Sequence, residues 1–411
     1  MAWHRSGGTR LGPAIACIAV LSWAIPCLSA TPEQVDAAIK KGQAYLYSKL
    51  QKNGTWEAVD KPELDPKGKN GVTDLNGRQW GGLTSIATYA LVASGENPQE
   101  PKLKPAIDFL LKANVQSTYG LGLSSQVWAL IPSSPAVKAV ASHNVHMLDA
   151  GMIRKGKDIG FYSYYTGAKH ESDQARWGDT SGFGPMPHGG YDLSNSQYGV
   201  LGMWALDQAG AEVPNDYWKT VEEAWKKAQQ PDGGWCYRPD KPVTASMTAA
   251  GIATLFITQD YTAPDTWSAC RGGAPTPNLD KGLAWMDKNI EEIMKEGAFY
   301  TMYGIERIGV ASGRKYFGSI DWYARGADTL VKKQGKDGAW GGSVPNTCFA
   351  LLFLARGSAP VMMNKLQYET PRAEAGAVNI WNERPRDVAN LARWTGRELE
   401  HDLNWQIVNM E

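Results

Sequence analysis

Tyr300, Tyr303, Glu306 and Arg307 stand close together in a stretch that is otherwise small and apolar. Read as a helix, the i, i+3 and i+4 spacings put them on or near one face. A Glu–Arg pair in an apolar wall is costly to bury unless each charge is met. Two roles fit it. One is a brace to a neighbouring helix, with Asp321 or Arg325 as partner, so that losing Glu306 destabilises the fold. The other is a polar anchor in a ligand cavity, with Glu306 as the candidate catalytic carboxylate and Tyr300, Tyr303 and Arg307 as ligand contacts.

A second constellation lies in a Gly/Tyr-rich excursion from Gly156 to Gly190. It carries Phe161, Tyr162, Tyr164, Tyr165, Trp177 and Phe183, runs on to Tyr191, and holds His170, Asp173, Asp179 and His188. Such rings either stack on a sugar or an apolar chain, with Trp177 and Tyr191 as candidate contacts, or they pin the loop down. The loop carboxylates would suit a polysaccharide-cleaving enzyme. A serine-hydrolase elbow of the form Gly-x-Ser-x-Gly is absent.

Composition narrows the partners. The chain has 43% hydrophobic and 20% charged residues, enough for a sizeable core. Trp and Tyr number 17 each against 8 Phe, a bias toward half-wet groove walls rather than a dry core. Residues 1–30 read as an export signal: Arg5 and Arg10, an apolar stretch from Leu11 to Ile25, and a small-residue end at Cys27-Leu28-Ser29-Ala30. Removing them leaves 40 basic and 42 acidic residues, which recommends neither nucleic acid nor an anionic membrane as partner. The expectation is a periplasmic or extracellular protein with no membrane span after signal cleavage. Cys236, Cys270 and Cys348 are too few and too odd for a disulfide scaffold. Nothing calls for a cofactor.

The elements that would position these residues follow from one recurring turn. It reads Gln51-Lys52-Asn53-Gly54-Thr55-Trp56, then Gln230-Pro231-Asp232-Gly233-Gly234-Trp235, then Gln334-Gly335-Lys336-Asp337-Gly338-Ala339-Trp340. Asn-Gly and Asp-Gly tolerate positive φ and allow a tight reversal, and the Trp is placed to fold back over the joined helices. Amphipathic outer helices are expected at about 33–49, 104–114, 136–151, 216–229, 279–294 and 320–333. Apolar inner helices are expected at about 83–93, 123–130, 197–208, 246–258, 300–310 and 347–355. An all-apolar helix must be buried on most sides, and a closed ring with the inner set around the axis achieves that without capping repeats.

These Gln-x-x-Asp-Gly-x-Trp turns, with Gly338-Ala339-Trp340-Gly341-Gly342 leading into Asn346-Thr347-Cys348-Phe349-Ala350-Leu351, resemble the repeats of the triterpene cyclase and protein prenyltransferase superfamily. The resemblance implies an all-α fold, an (α/α)6 toroid of six helical hairpins over roughly residues 31–358, with the turns as staples. Cyclases of that family use an Asp-x-Asp-Asp acid. The matching stretch here, Asp240-Lys241-Pro242-Val243-Thr244, has one carboxylate, so cyclisation is not expected. Prenyltransferases hold zinc with Asp, Cys and His. Cys236 and Asp240 are present, but Asn346 stands where the motif's histidine would be, leaving His188 as a substitute ligand and a zinc-assisted transferase as a rival reading. The thioester toroids' Cys-Gly-Glu-Gln run is absent.

Beyond residue 358 a strand (362–368), a charged helix (385–399) and a second strand (404–410) resemble the start of an uncharacterised bacterial α/β domain. This 359–411 tail either opens a larger domain or packs on the ring. The favoured role is binding or interaction at the axial cavity, with an apolar or glycan ligand or a protein partner.

Overall fold

The computed structural model describes residues 29–58, 79–166, 190–262, 276–368, 380–382, 384–399 and 402–409. Its helices alternate between two layers. The outer layer is α1 (Pro32–Lys49), α3 (Lys104–Leu110), α5 (Pro135–Gly151), α7 (Asn215–Ala228), α9 (Pro277–Glu296) and α11 (Trp322–Lys333). The inner layer is α2 (Gly82–Ala93), α4 (Thr118–Leu130), α6 (Leu193–Gln208), α8 (Ala245–Thr262), α10 (Phe299–Ser312) and α12 (Val344–Gly357). Each inner helix packs on the next, α2 on α4 and so on to α10 on α12, and α12 packs back on α2. That last contact closes the ring. All six inner helices therefore run the same way, with their N-termini at one mouth and their C-termini at the other.

Local chemistry accounts for the elements. Thr31 caps α1 in a complete capping box with Gln34, with Pro32 at the first helical position. The inner helices are uniformly buried. Along α6 every residue from Leu193 to Met203 is inaccessible. Helix α4 starts at Thr118, five residues before the expected start, because Gly120 and Gly122 lie inside it. A Cβ on Gly122 would stand 2.3 Å from the Tyr198 carbonyl oxygen, so the weak helix former is what lets α4 and α6 approach. A short antiparallel pair, β1 (Tyr316–Phe317) and β2 (Ile320–Asp321), precedes α11 where the sequence suggested helix from Ile320.

The three Trp turns are built alike. Each indole N–H donates to a carbonyl ten residues back: Trp56 to Leu46, Trp235 to Trp225, Trp340 to Leu330. Each Trp backbone N–H donates to a threonine hydroxyl in the first turn of the following inner helix, Thr84, Thr248 and Thr347. Gly233 and Gly338 adopt φ of 94° and 87°, and a Cβ there would lie 2.6 and 2.3 Å from the carbonyl oxygens of Lys281 and Lys41. Each turn thus docks on the next outer helix. Gln229 Nε2 reaches the Asn278 carbonyl at 2.7 Å, and Gln334 Nε2 reaches that of Ala38 at 2.9 Å. The closing joint uses the same contact as an internal one.

The tail packs on the ring. Strands β3 (Val361–Gln367) and β4 (Asn404–Asn409) pair in parallel, with a 3-10 turn (Ile380–Asn382) and α12's successor α13 (Asp387–Glu398) between them. The unit sits over the C-terminal ends of the inner helices. Arg386 pairs with Asp260 of α8 at 2.9 Å and donates to the Ala311 carbonyl of α10 at 2.6 Å. Arg393 also reaches Asp260, Arg397 reaches Gln208 of α6, and Asn404 donates to the Arg356 carbonyl of α12. Cations at helix C-termini complement the helix dipole. No helix among the described residues is long and apolar enough to cross a membrane.

Candidate functional site

At the N-terminal mouth the inner wall turns aromatic and polar. Tyr300 opens α10 and reaches across the ring: its hydroxyl meets Ser194 Oγ of α6 at 2.7 Å and accepts from Gln197 Nε2. Ser194 also bonds the Tyr119 hydroxyl of α4. Two turns along α10, Arg307 donates from Nη2 to Gln197 Oε1 at 2.6 Å, and its guanidinium lies 4.7 Å from the Tyr303 ring centroid. One hydrogen-bonded chain therefore links Arg307, Gln197, Tyr300, Ser194 and Tyr119 across three inner helices. Phe349 of α12 packs on Tyr300 and Tyr303, with ring centroids 5.3 and 5.5 Å away. Helix α8 permits the crossing because it presents small residues, Ala249 among them, against Gly304 of α10.

Tyr119, Tyr300, Arg307 and Phe349 keep part of their surface accessible inside this wall. Two donor nitrogens of Arg307, Nε and Nη1, have no hydrogen-bond partner among the described residues. Burial pushes the Tyr300 phenol up to about 12, with the Ser194 bond and Arg307 pulling the other way.

Glu306 faces elsewhere, a consequence of the 100° step between successive helical residues. It is 1% exposed, and Oε1 stands 3.7 Å from Arg356 Nε on α12. Arg356 in turn reaches the Tyr89 hydroxyl of α2 at 3.5 Å. The brace is thus real, but its partner is Arg356 and not Asp321 or Arg325. Asp321 instead caps α11 through the Ala324 N–H. Burial raises the Glu306 carboxyl to about 7, with Arg356 and then Arg307 opposing, and Oε2 is left without a partner.

The other candidates disperse. Asp240 is exposed and paired with Lys241 at 3.2 Å, whereas Cys236 is buried and its thiol is pushed up by desolvation. Cys236 and Cys348 are free thiols. Among the described residues no group of three metal-ligating side chains converges, and His188 and Trp177 lie outside them. Tyr191 is not at the axis. It stacks on Phe161 at 4.3 Å, outside the inner ring and beside Cys236. The described part of the excursion is pinned by its aromatics: Tyr162 donates to the Tyr217 hydroxyl, and Tyr164 meets Tyr237 at 2.7 Å.

Sequence reasoning missed Gln197, Ser194, Tyr119, Phe349 and Arg356. The polar first turns of the inner helices were the available signal for Ser194 and Gln197, and an arginine closing the apolar run of α12 was the signal for Arg356.

The contacts define a closed α/α toroid with one mouth lined by tyrosines and an arginine and the other covered by the tail. No protein-family model matches the chain, and no curated protein matches it. Among solved structures it is similar to the type II terpene cyclase MstE from Scytonema, at 13% identity and TM-score 0.45 over 79% of this chain and 98% of that one. It is similar to a protein from Actinoplanes, at 16% identity and TM-score 0.45 over 79% and 99%. It is also similar to Candida albicans protein geranylgeranyltransferase-I, at 10% identity and TM-score 0.44 over 76% and 89%. At these identities the likeness concerns the fold, which the ring contacts establish by themselves.

Proposed function

We propose that the protein is an exported binding protein that takes a ligand at the N-terminal mouth of the ring, with an anionic group on Arg307 and an extended apolar body along the tyrosine wall. The observation that carries this reading is Arg307, whose guanidinium is held by Gln197 and Tyr303 yet keeps two buried nitrogens without an acceptor among the described residues. Buried donors in folded proteins are almost always satisfied, and a cation more so. Export rests on residues 1–30, of which 1–28 lie outside the described structure.

Titration with cis-parinarate, a fluorescent long-chain carboxylate, tests the reading. Saturable binding that weakens at least about ten-fold in Arg307→Gln, with the melting temperature nearly unchanged, supports it. Equal affinity of the two proteins removes Arg307 from the site. The rival, an enzyme of the same architecture, draws on Glu306, which burial brings into the range of a general acid near neutral pH. Its enclosure against Arg356 favours the brace. Asp240, exposed beside Lys241, gives the zinc-assisted transferase little to stand on, and the loop carboxylates of the polysaccharide-cleaving version, Asp173 and Asp179, lie outside the described residues.

A further inference from the structure

Outside the ring wall a half-open cleft of about 460 Å³ lies between α7, the 156–161 segment and the turn at 236–239. Its size falls in the range of small-molecule sites, about 300–1,000 Å³. Gly160 sets its width: a Cβ there would lie 2.6 Å from Ala224 Cβ and 2.9 Å from the Thr220 carbonyl oxygen of α7. The wall is apolar and aromatic, with Tyr191 stacked face to face on Phe161, at an interplanar angle of 7°.

The charges around it are one-sided. Lys157, Lys227 and Arg238 line the cleft against a single acid, Glu223. Neither lysine forms an ion pair among the described residues. Arg238 lies against the Tyr237 ring at 5.6 Å, its charge acts on Asp192 and Asp240, and its buried Nε has no hydrogen-bond partner among the described residues. A stacked aromatic floor and an excess of lining cations, one of them with a guanidinium nitrogen unmet among the described residues, are two features of one ligand chemistry. We propose that this cleft binds a small organic anion with a flat or ring-shaped apolar body, separately from the axial mouth.

The probe is 8-anilino-1-naphthalenesulfonate, compared with its uncharged relative N-phenyl-1-naphthylamine, both read by fluorescence on the full chain. The sulfonate dye should saturate at one site and bind about ten-fold more tightly than the neutral dye. Lys227→Gln with Arg238→Gln should erase that difference while leaving the neutral dye where it was. Ala228→Trp, which fills the cleft from an exposed outer helix, should displace both. Melting curves of each variant check that the fold is kept. Equal affinities of the two dyes in the wild type would overturn the proposal. So would sulfonate binding that survives Ala228→Trp, because the dye then sits on another surface. Loss of the dye in Arg307→Gln, with no loss in the cleft variants, would place it at the axis and overturn the proposal too.

Discussion

The two ends of the inner ring are made from the same six helices and treat charge in opposite ways. At the C-terminal end the tail's cations find partners: Asp260 takes Arg386 and Arg393, Gln208 takes Arg397, and the carbonyls of Ala311 and Arg356 receive donors from the tail. At the N-terminal end Arg307 is held in place but left with donors to spare. The matched end is a structural joint, and the unmatched end is the ligand-binding mouth we propose. Consecutive residues of α10 make the point on a smaller scale, since Glu306 turns to Arg356 and Arg307 to the open network.

The largest effect that could break this comparison is at Asp260. Its side chain is 10% exposed and Arg386 is 8% exposed, so Asp260→Asn leaves a buried guanidinium without its counter-charge, at a cost of about 3–5 kcal/mol. Thermal melting should fall by several degrees, and limited proteolysis should cut the tail first. A variant that melts like the wild type would mean that the tail only rests on the ring.

The next effect is a pH profile. The Glu306 carboxyl ionises near 4.5 in the unfolded chain and near 7 in the fold, so the fold binds the proton more tightly. The Glu306 contribution to stability should then be fully present below the unfolded value, fall as pH rises through this window, and level off above it, by about 3 kcal/mol at about 1.4 kcal/mol per unit. Glu306→Gln removes the fall, so the variant should gain on the wild type between pH 4.5 and 7 in urea unfolding series. Parallel curves would show that Arg356 keeps the carboxylate ionised throughout.

The smallest effect sharpens the contrast. Tyr300→Phe removes the hydroxyl shared by Ser194 and Gln197 at the open mouth and should cost only about 1 kcal/mol of stability. Parinarate affinity should drop, because Gln197 then holds Arg307 less firmly. A stability loss as large as that of Asp260→Asn would make the open mouth a structural joint as well.

How much of this could be read beforehand depended on the distance over which each contact acts. The Trp turns were legible because their indole and amide partners lie within one hairpin, ten residues back or at the start of the next helix. The closed ring followed from helices with no polar face. Arg356 was hidden as the partner of Glu306 because that pair forms between neighbouring inner helices 50 residues apart in sequence, where spacing along one helix says nothing. Asp321 and Arg325 were nearer in the chain but belong to the outer layer. Tyr191 was grouped with the axial tyrosines by residue type, and stacking on Phe161 takes it to the outer cleft instead. The docking of the tail was only one of two alternatives in the sequence, since it depends on where four helix ends come together.

The joint between Gln334 and α1 has a consequence for chain order. It repeats the contact that Gln229 makes with α9, so the joint onto the first hairpin is built like the joint onto the fifth. Which hairpin comes first is then a matter of gene layout rather than of packing. A circularly permuted polypeptide, with the end of the tail linked to α1 and new ends in an exposed outer loop, would meet the same ring interfaces. The unpermuted chain carries one penalty that such a variant shifts elsewhere: its closing contact joins residues 296 positions apart, so the ring seals only after nearly the whole toroid has been made.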